Sequence, residues 1–220
     1  RDSWTQGPKR LLFMRVAFPE DPSEPITEDA AYSLMNDINT WFVENSYGTT
    51  SIVPDVTPLL ILPQTKDWYG VQGSTSLLAD ARDAARAAGF DTDNYDFDIV
   101  RHNKVPGYNW NGQSYVGDKG IWLQTSSVGV TAHELGHCYG LLHANFWNAT
   151  GDSVIGAGSN ATYGDIFDTM GNSSAGSCQF NVIWKNKLDW LPDQFFHNVT
   201  NSGCYRIYAF DVPQLVSSFK

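Results

Sequence analysis

The chain has 220 residues, 42% hydrophobic and 14% aromatic, enough for one domain with a sizeable core, or for one domain and the start of another. Lys and Arg number 14 against 24 Asp and Glu, a net charge of −10, which argues against nucleic acid or an anionic membrane surface as a partner. No apolar run approaches the ~18 residues of a membrane-spanning helix. The chain opens at Arg1 without a signal-type apolar run and reads as a processed chain.

Residues 1–10 are polar and read as a loose arm. Residues 11–18 (LLFMRVAF) form a strand apolar enough to be central in a sheet. Thr27 is placed to cap a helix whose first turn carries Glu28 and Asp29. That helix runs to about Glu44, with Ala31, Leu34, Met35, Ile38, Trp41 and Phe42 at helical spacing. Residues 50–62 give a second strand, interrupted near Pro54 or Pro58. Residues 74–88 give an alanine-rich helix ending at Gly89, and residues 95–102 alternate as a third strand. A glycine- and aromatic-rich loop covers 105–119, and a short strand covers 120–125. A further helix starts near Ser126 or Ser127. Strands alternating with helices indicate an α+β, α/β-like domain. Beyond it, residues 144–177 show no periodicity. Residues 180–191 read as a helix, and 204–210 (CYRIYAF) as the first strand of something β-rich. The division expected is one domain over 1–200, split into subdomains at 143/144, with a second, β-rich domain beginning at 201–220.

The helix that starts near Ser127 carries His133-Glu134-Leu135-Gly136-His137, followed by Gly140 and His143. Residues four apart share a helix face, so His133 and His137 can point at one ion. Gly140 can turn left-handed without steric cost and so bring His143 round as a third imidazole. Three protein ligands leave a fourth position open, the mark of a catalytic zinc site. Glu134 stands where it can take a proton from a water. The five fixed positions arise by chance in a chain this long with odds on the order of one in 100,000. A helix that merely carries core histidines is therefore a poor account of them. His102 has three better-placed competitors and is not expected to be a ligand. One catalytic Zn²⁺ is the expected cofactor. The Asp and Asn residues of 144–177 offer oxygens to calcium, but their spacing matches no calcium-loop motif.

Four N-glycosylation sequons, at Asn148, Asn160, Asn172 and Asn198, follow the histidine motif and suggest a secreted protein. Three cysteines leave one over if two pair. Cys138–Cys178 is the favoured pairing, Cys178–Cys204 the other, and three buried thiols the alternative to both.

HExxHxxGxxH is the metzincin form of the zinc-peptidase motif. Asp168-Thr169-Met170-Gly171 resembles the metzincin Met-turn, a thioether floor beneath the imidazoles. Together with Tyr163-Gly164-Asp165, Phe180-Asn181 and Lys187-Leu188-Asp189-Trp190-Leu191, the chain from about 115 to 210 resembles the gametolysin-like peptidases. That resemblance implies a five-stranded twisted, mostly parallel sheet above the zinc helix, a cleft across the molecule and a smaller C-terminal subdomain. It also implies zinc-dependent hydrolysis of extended polypeptide, such as extracellular or cell-wall protein; a monomer is expected. The chain departs from some metzincins in having Asn172, not tyrosine, two residues after Met170. The strand at 120–124 is expected to form the upper rim of the cleft and to pair with substrate. The reading from another class is an extracellular binding module that keeps zinc without turnover.

Overall fold

The computed structural model describes residues 3–154, 156–172, 178–195, 197–207 and 209. A five-stranded sheet organises them, with strand order β2-β1-β3-β5-β4. The strands are β1 (Gly7–Ala17), β2 (Thr50–Ile61), β3 (Phe97–Arg101), β4 (Gly112–Ser114) and β5 (Ile121–Leu123). Neighbours pair in parallel except β4, which runs antiparallel to β5 at one margin. The architecture is therefore α+β with a mostly parallel sheet.

β1 lies between two strands and between two helical layers, which is why its second half, Leu11 to Ala17, is apolar on both faces apart from Arg15. Leu11 and Phe13 point to one face, where α1 (Glu28–Asn45) and α4 (Val128–Cys138) pack. Leu12, Met14 and Val16 point to the other, against α3 (Ser74–Ala87). The six apolar positions at helical spacing in α1 are all buried, and Thr27 caps it by accepting from the Ala30 amide.

β2 tolerates two prolines because it is an edge strand. Pairing with β1 is unbroken at Pro54 but shifts register between Phe13 and Arg15, opposite Thr57 and Pro58. There the Thr57 hydroxyl accepts from the Arg15 amide at 3.2 Å, replacing the bond the bulge removes. The expected interruption thus falls at Pro58.

Several elements differ from the sequence reading. A short helix, α2 (Lys66–Gln72), precedes α3; its cap is Thr65. Residues 144–177 hold a two-stranded hairpin, β6 (Phe146–Ala149) against β7 (Gly158–Ala161). Strands of four residues, Phe-Trp-Asn-Ala and Gly-Ser-Asn-Ala, are too short to show alternation. The helix expected over 180–191 is only α5 (Val182–Lys187). The Asn181 carboxamide caps its start, accepting from Ile183 and Trp184, and Asp189 at φ 57 ends the segment in the left-handed region. Residues 204–207 and 209 take no sheet pairing and are exposed; Tyr208 and residues 210–220 lie outside the described residues. No described helix is long and apolar enough to cross a membrane.

The three cysteines are unpaired. Cys138 faces the sheet, fully buried and hydrogen-bonded near Gly120, and burial pushes its thiol pKa up. Cys178 lies elsewhere, with its Sγ at the Ile166 carbonyl. The favoured Cys138–Cys178 pairing fails because the later segment packs on a different side of α4, and the Cys178–Cys204 alternative is not formed either.

His102 follows β3 and is fully buried among Phe18, Tyr108 and Trp110. Its Nδ1 donates to the Asn103 carbonyl at 2.8 Å, and its Nε2 is buried without a hydrogen-bond partner. Burial lowers its pKa to about 4. Between the unfolded value of about 6.5 and that folded value, only the unfolded chain binds the proton. Stability therefore falls as pH drops through this window, by about 2–3 kcal/mol from this group between pH 7 and pH 4.5. His102→Phe is expected to lose that much less over the same range. Denaturant unfolding of both proteins at the two pH values checks it; equal losses would refute it.

Candidate metal centre

α4 is capped by Ser127, whose hydroxyl accepts from the Val130 amide. It ends at Cys138, with Tyr139 as the cap and Gly140 at φ 89. The Gly140 amide donates to the His137 carbonyl at 2.7 Å, and the Leu141 amide to the Gly136 carbonyl at 3.0 Å. This is the paired Schellman closure that a left-handed glycine makes available. The turn also faces the Leu141 carbonyl back at His137, whose Nδ1 donates to it at 2.8 Å.

His133 is fixed the same way from another direction. Its Nδ1 donates to the Thr169 carbonyl at 2.8 Å. With both Nδ1 atoms carrying the proton, the Nε2 atoms are lone pairs. The third imidazole joins them: the Nε2 of His137 lies 3.1 Å from the Nε2 of His133 and 3.1 Å from that of His143. Metal–nitrogen bonds of about 2.0–2.1 Å at a tetrahedral centre set ligand nitrogens about 3.3 Å apart. The donor set and spacing fit a small divalent cation, and unprotonated nitrogens this close repel one another without one. Burial lowers the pKa of all three imidazoles, that of His133 to about 4, which keeps them neutral as ligands must be. Among the described residues this is the one cluster of three or more potential ligands within bonding reach of a common point.

Met170 is fully buried beneath the helix. A Cβ on Gly136 would come 2.6 Å from the Met170 Sδ and 2.9 Å from the Phe180 ring. The glycine between the two helical histidines thus lets the thioether and the ring approach the helix backbone. The turn that presents Met170 hangs on Asp168, whose carboxylate accepts from the Met170 amide at 2.6 Å and the Asn181 amide at 2.7 Å. Gly171 is held close as well: a Cβ there would lie 1.9 Å from the Asp165 carbonyl oxygen.

Glu134 is 6% exposed. Burial raises its pKa to about 7, opposed by a hydrogen bond from Ser114. The histidines and Glu134 line a cavity of about 640 Å³, walled by Trp110, Leu142, Tyr163 and Trp184. Tyr163, itself at φ 60, lays its ring 3.8 Å from that of His143.

The rim of this cavity is β4, not the 120–124 strand expected. β5 is fully buried between β3 and β4, so both of its backbone margins are already paired. β4 has a neighbour on one side only, and Gly112, Gln113 and Ser114 line the cavity. Gly112, Ser114, Tyr163 and the Thr169 carbonyl are the site groups that sequence reasoning missed. The glycine-rich 105–119 segment gave no pattern that marks a three-residue strand.

Asn148 and Asn160 are exposed on β6 and β7, and Asn198 is exposed on the C-terminal segment. Asn172 is half-buried, its amide donating to the Asp168 carbonyl at 2.7 Å. The serine completing its sequon, Ser174, lies outside the described residues. No protein-family model matches the chain, and comparison with curated proteins gives no match.

Proposed function

We propose that the protein is a zinc-dependent endopeptidase of metzincin type, resembling the gametolysin-like family, that cleaves extended polypeptide outside the cell. The observation that carries this reading is the convergence of three Nε2 atoms beside a buried carboxylate at an open sheet margin.

His133, His137 and His143 would hold the ion. A zinc ion bound there supplies a Lewis acid that acidifies water and polarises a peptide carbonyl. The chain's own groups do the rest. Substrate lies along the free margin of β4 as an added antiparallel strand, which fixes its backbone without reference to its side chains. Glu134 accepts the proton from the attacking water and passes it to the departing amine. The Thr169 and Leu141 carbonyls hold the rings of His133 and His137 in one orientation throughout. Trp110, Leu142, Tyr163 and Trp184 line the cavity and offer apolar surface to a substrate side chain.

The test is incubation of the zinc-loaded protein with an unfolded polypeptide, with and without a chelator. Cleavage that the chelator stops and zinc restores is the expected result. No cleavage by protein that has bound zinc would favour a binding module instead.

A further inference from the structure

We infer that Ser114 is a positioning residue for Glu134, locking the base to the strand along which substrate would lie. This rests on the peptidase reading above.

The Ser114 Oγ donates to the Glu134 Oε2 at 2.7 Å, across 20 residues of sequence. Two residues earlier, on the same face of β4, stands Gly112. A Cβ on Gly112 would lie 2.7 Å from the Glu134 Oε1, 2.8 Å from its Cγ and 2.8 Å from the Val130 side chain. The β4 backbone therefore passes directly over the carboxylate, and any residue with a side chain at 112 would push it away. Gly112 leaves the room, and Ser114 supplies the hydroxyl that holds the group there.

The lock matters because the last torsion of a glutamate is soft. A base that must take a proton from one atom and return it to another works only in a narrow range of orientations. The α4 backbone fixes where Glu134 starts, and the Ser114 hydroxyl fixes where its oxygens end. Because the donor stands on β4, the strand that would align the peptide also aligns the group that acts on it. Registration of substrate and base then shares one rigid element.

The experiment compares Ser114→Ala, Ser114→Thr, Glu134→Gln and the Ser114→Ala/Glu134→Gln pair, all zinc-loaded, on an unfolded polypeptide. Ser114→Ala is expected to lower kcat about tenfold or more, the scale of a hydrogen bond to a charged group, with KM changed less than about twofold. Zinc content stays at the wild-type level. Ser114→Thr, which keeps the hydroxyl, recovers most of the rate. In the Glu134→Gln background the serine substitution has less than about a twofold further effect, because it acts through the carboxylate. A kcat for Ser114→Ala within about twofold of wild type overturns the proposal, as does a full loss that persists in the Glu134→Gln background.

A readout independent of turnover is the infrared difference between wild type and Glu134→Gln in chelator-treated protein. The Glu134 carboxyl band is expected to move when Ser114→Ala removes its donor. An unmoved band overturns the contact. If zinc-loaded wild type cleaves nothing, the peptidase reading falls, while the infrared comparison still decides whether Ser114 holds Glu134.

Discussion

Glu134→Gln is expected to lower the rate of peptide hydrolysis by at least two orders of magnitude while leaving zinc bound, and Glu134→Ala to do the same. The size follows from losing a positioned general base, worth typically 10²–10⁴-fold. Retention of metal follows from the geometry: the ion would sit among the imidazoles, whose orientations are set by the Thr169 and Leu141 carbonyls and not by the glutamate. Glutamine keeps the shape of the side chain and can still accept from the Ser114 hydroxyl, so the change removes proton transfer with little disturbance of packing. Kinetics on an unfolded polypeptide, with zinc measured on the same samples, check both halves. Near-full activity in either variant would end the assignment of Glu134 as base.

The second large effect is on stability. Zinc at saturating concentration is expected to raise the unfolding temperature by roughly 10 °C, since a ligand at 1,000 times its Kd adds about 4 kcal/mol and a domain of this size moves about 2–4 °C per kcal/mol. His143→Ala should abolish that increment. His143 is the best choice because it lies beyond the end of α4 and is the most exposed of the three, so its removal disturbs folding least. It also takes one of the two close Nε2 contacts away from His137. Thermal unfolding of both proteins, metal-free and with zinc, separates the contributions. An equal zinc-induced rise in His143→Ala would place the ion elsewhere. No rise in wild type would show that the histidines do not bind zinc.

These two predictions use residues that were readable before any coordinates. His133, Glu134, His137, Gly140 and His143 fall within a single helix and its closing turn, so local geometry alone brings them together. The same holds for α1, where the apolar spacing and the Thr27 cap are both local. What escaped the sequence is what distant segments contribute. Thr169 reaches His133 only because the chain returns beneath α4 after the β6–β7 hairpin. Ser114 reaches Glu134 only because β4 reverses against β5 at the sheet margin. Neither is a periodic signal. The misplaced rim has the same origin: 120–124 is the more strand-like sequence because it is buried, and burial is what removes it from contact with a partner chain. The helix at 180–191 was overlong because Asp189 adopts a conformation that composition does not announce.

The two margins of the sheet are not equivalent. On the far side, β2 presents Pro54, Pro58 and a bulge, a combination that turns away any incoming strand. On the near side, β4 runs three residues without a proline, directly above the carboxylate of Glu134. A foreign chain that seeks to lengthen this sheet has one place to go, and taking it sets the chain's own backbone over the reactive centre. On the peptidase reading, the proline-bearing margin that turns strands away leaves a polypeptide the other margin, beside Glu134, as its place to dock.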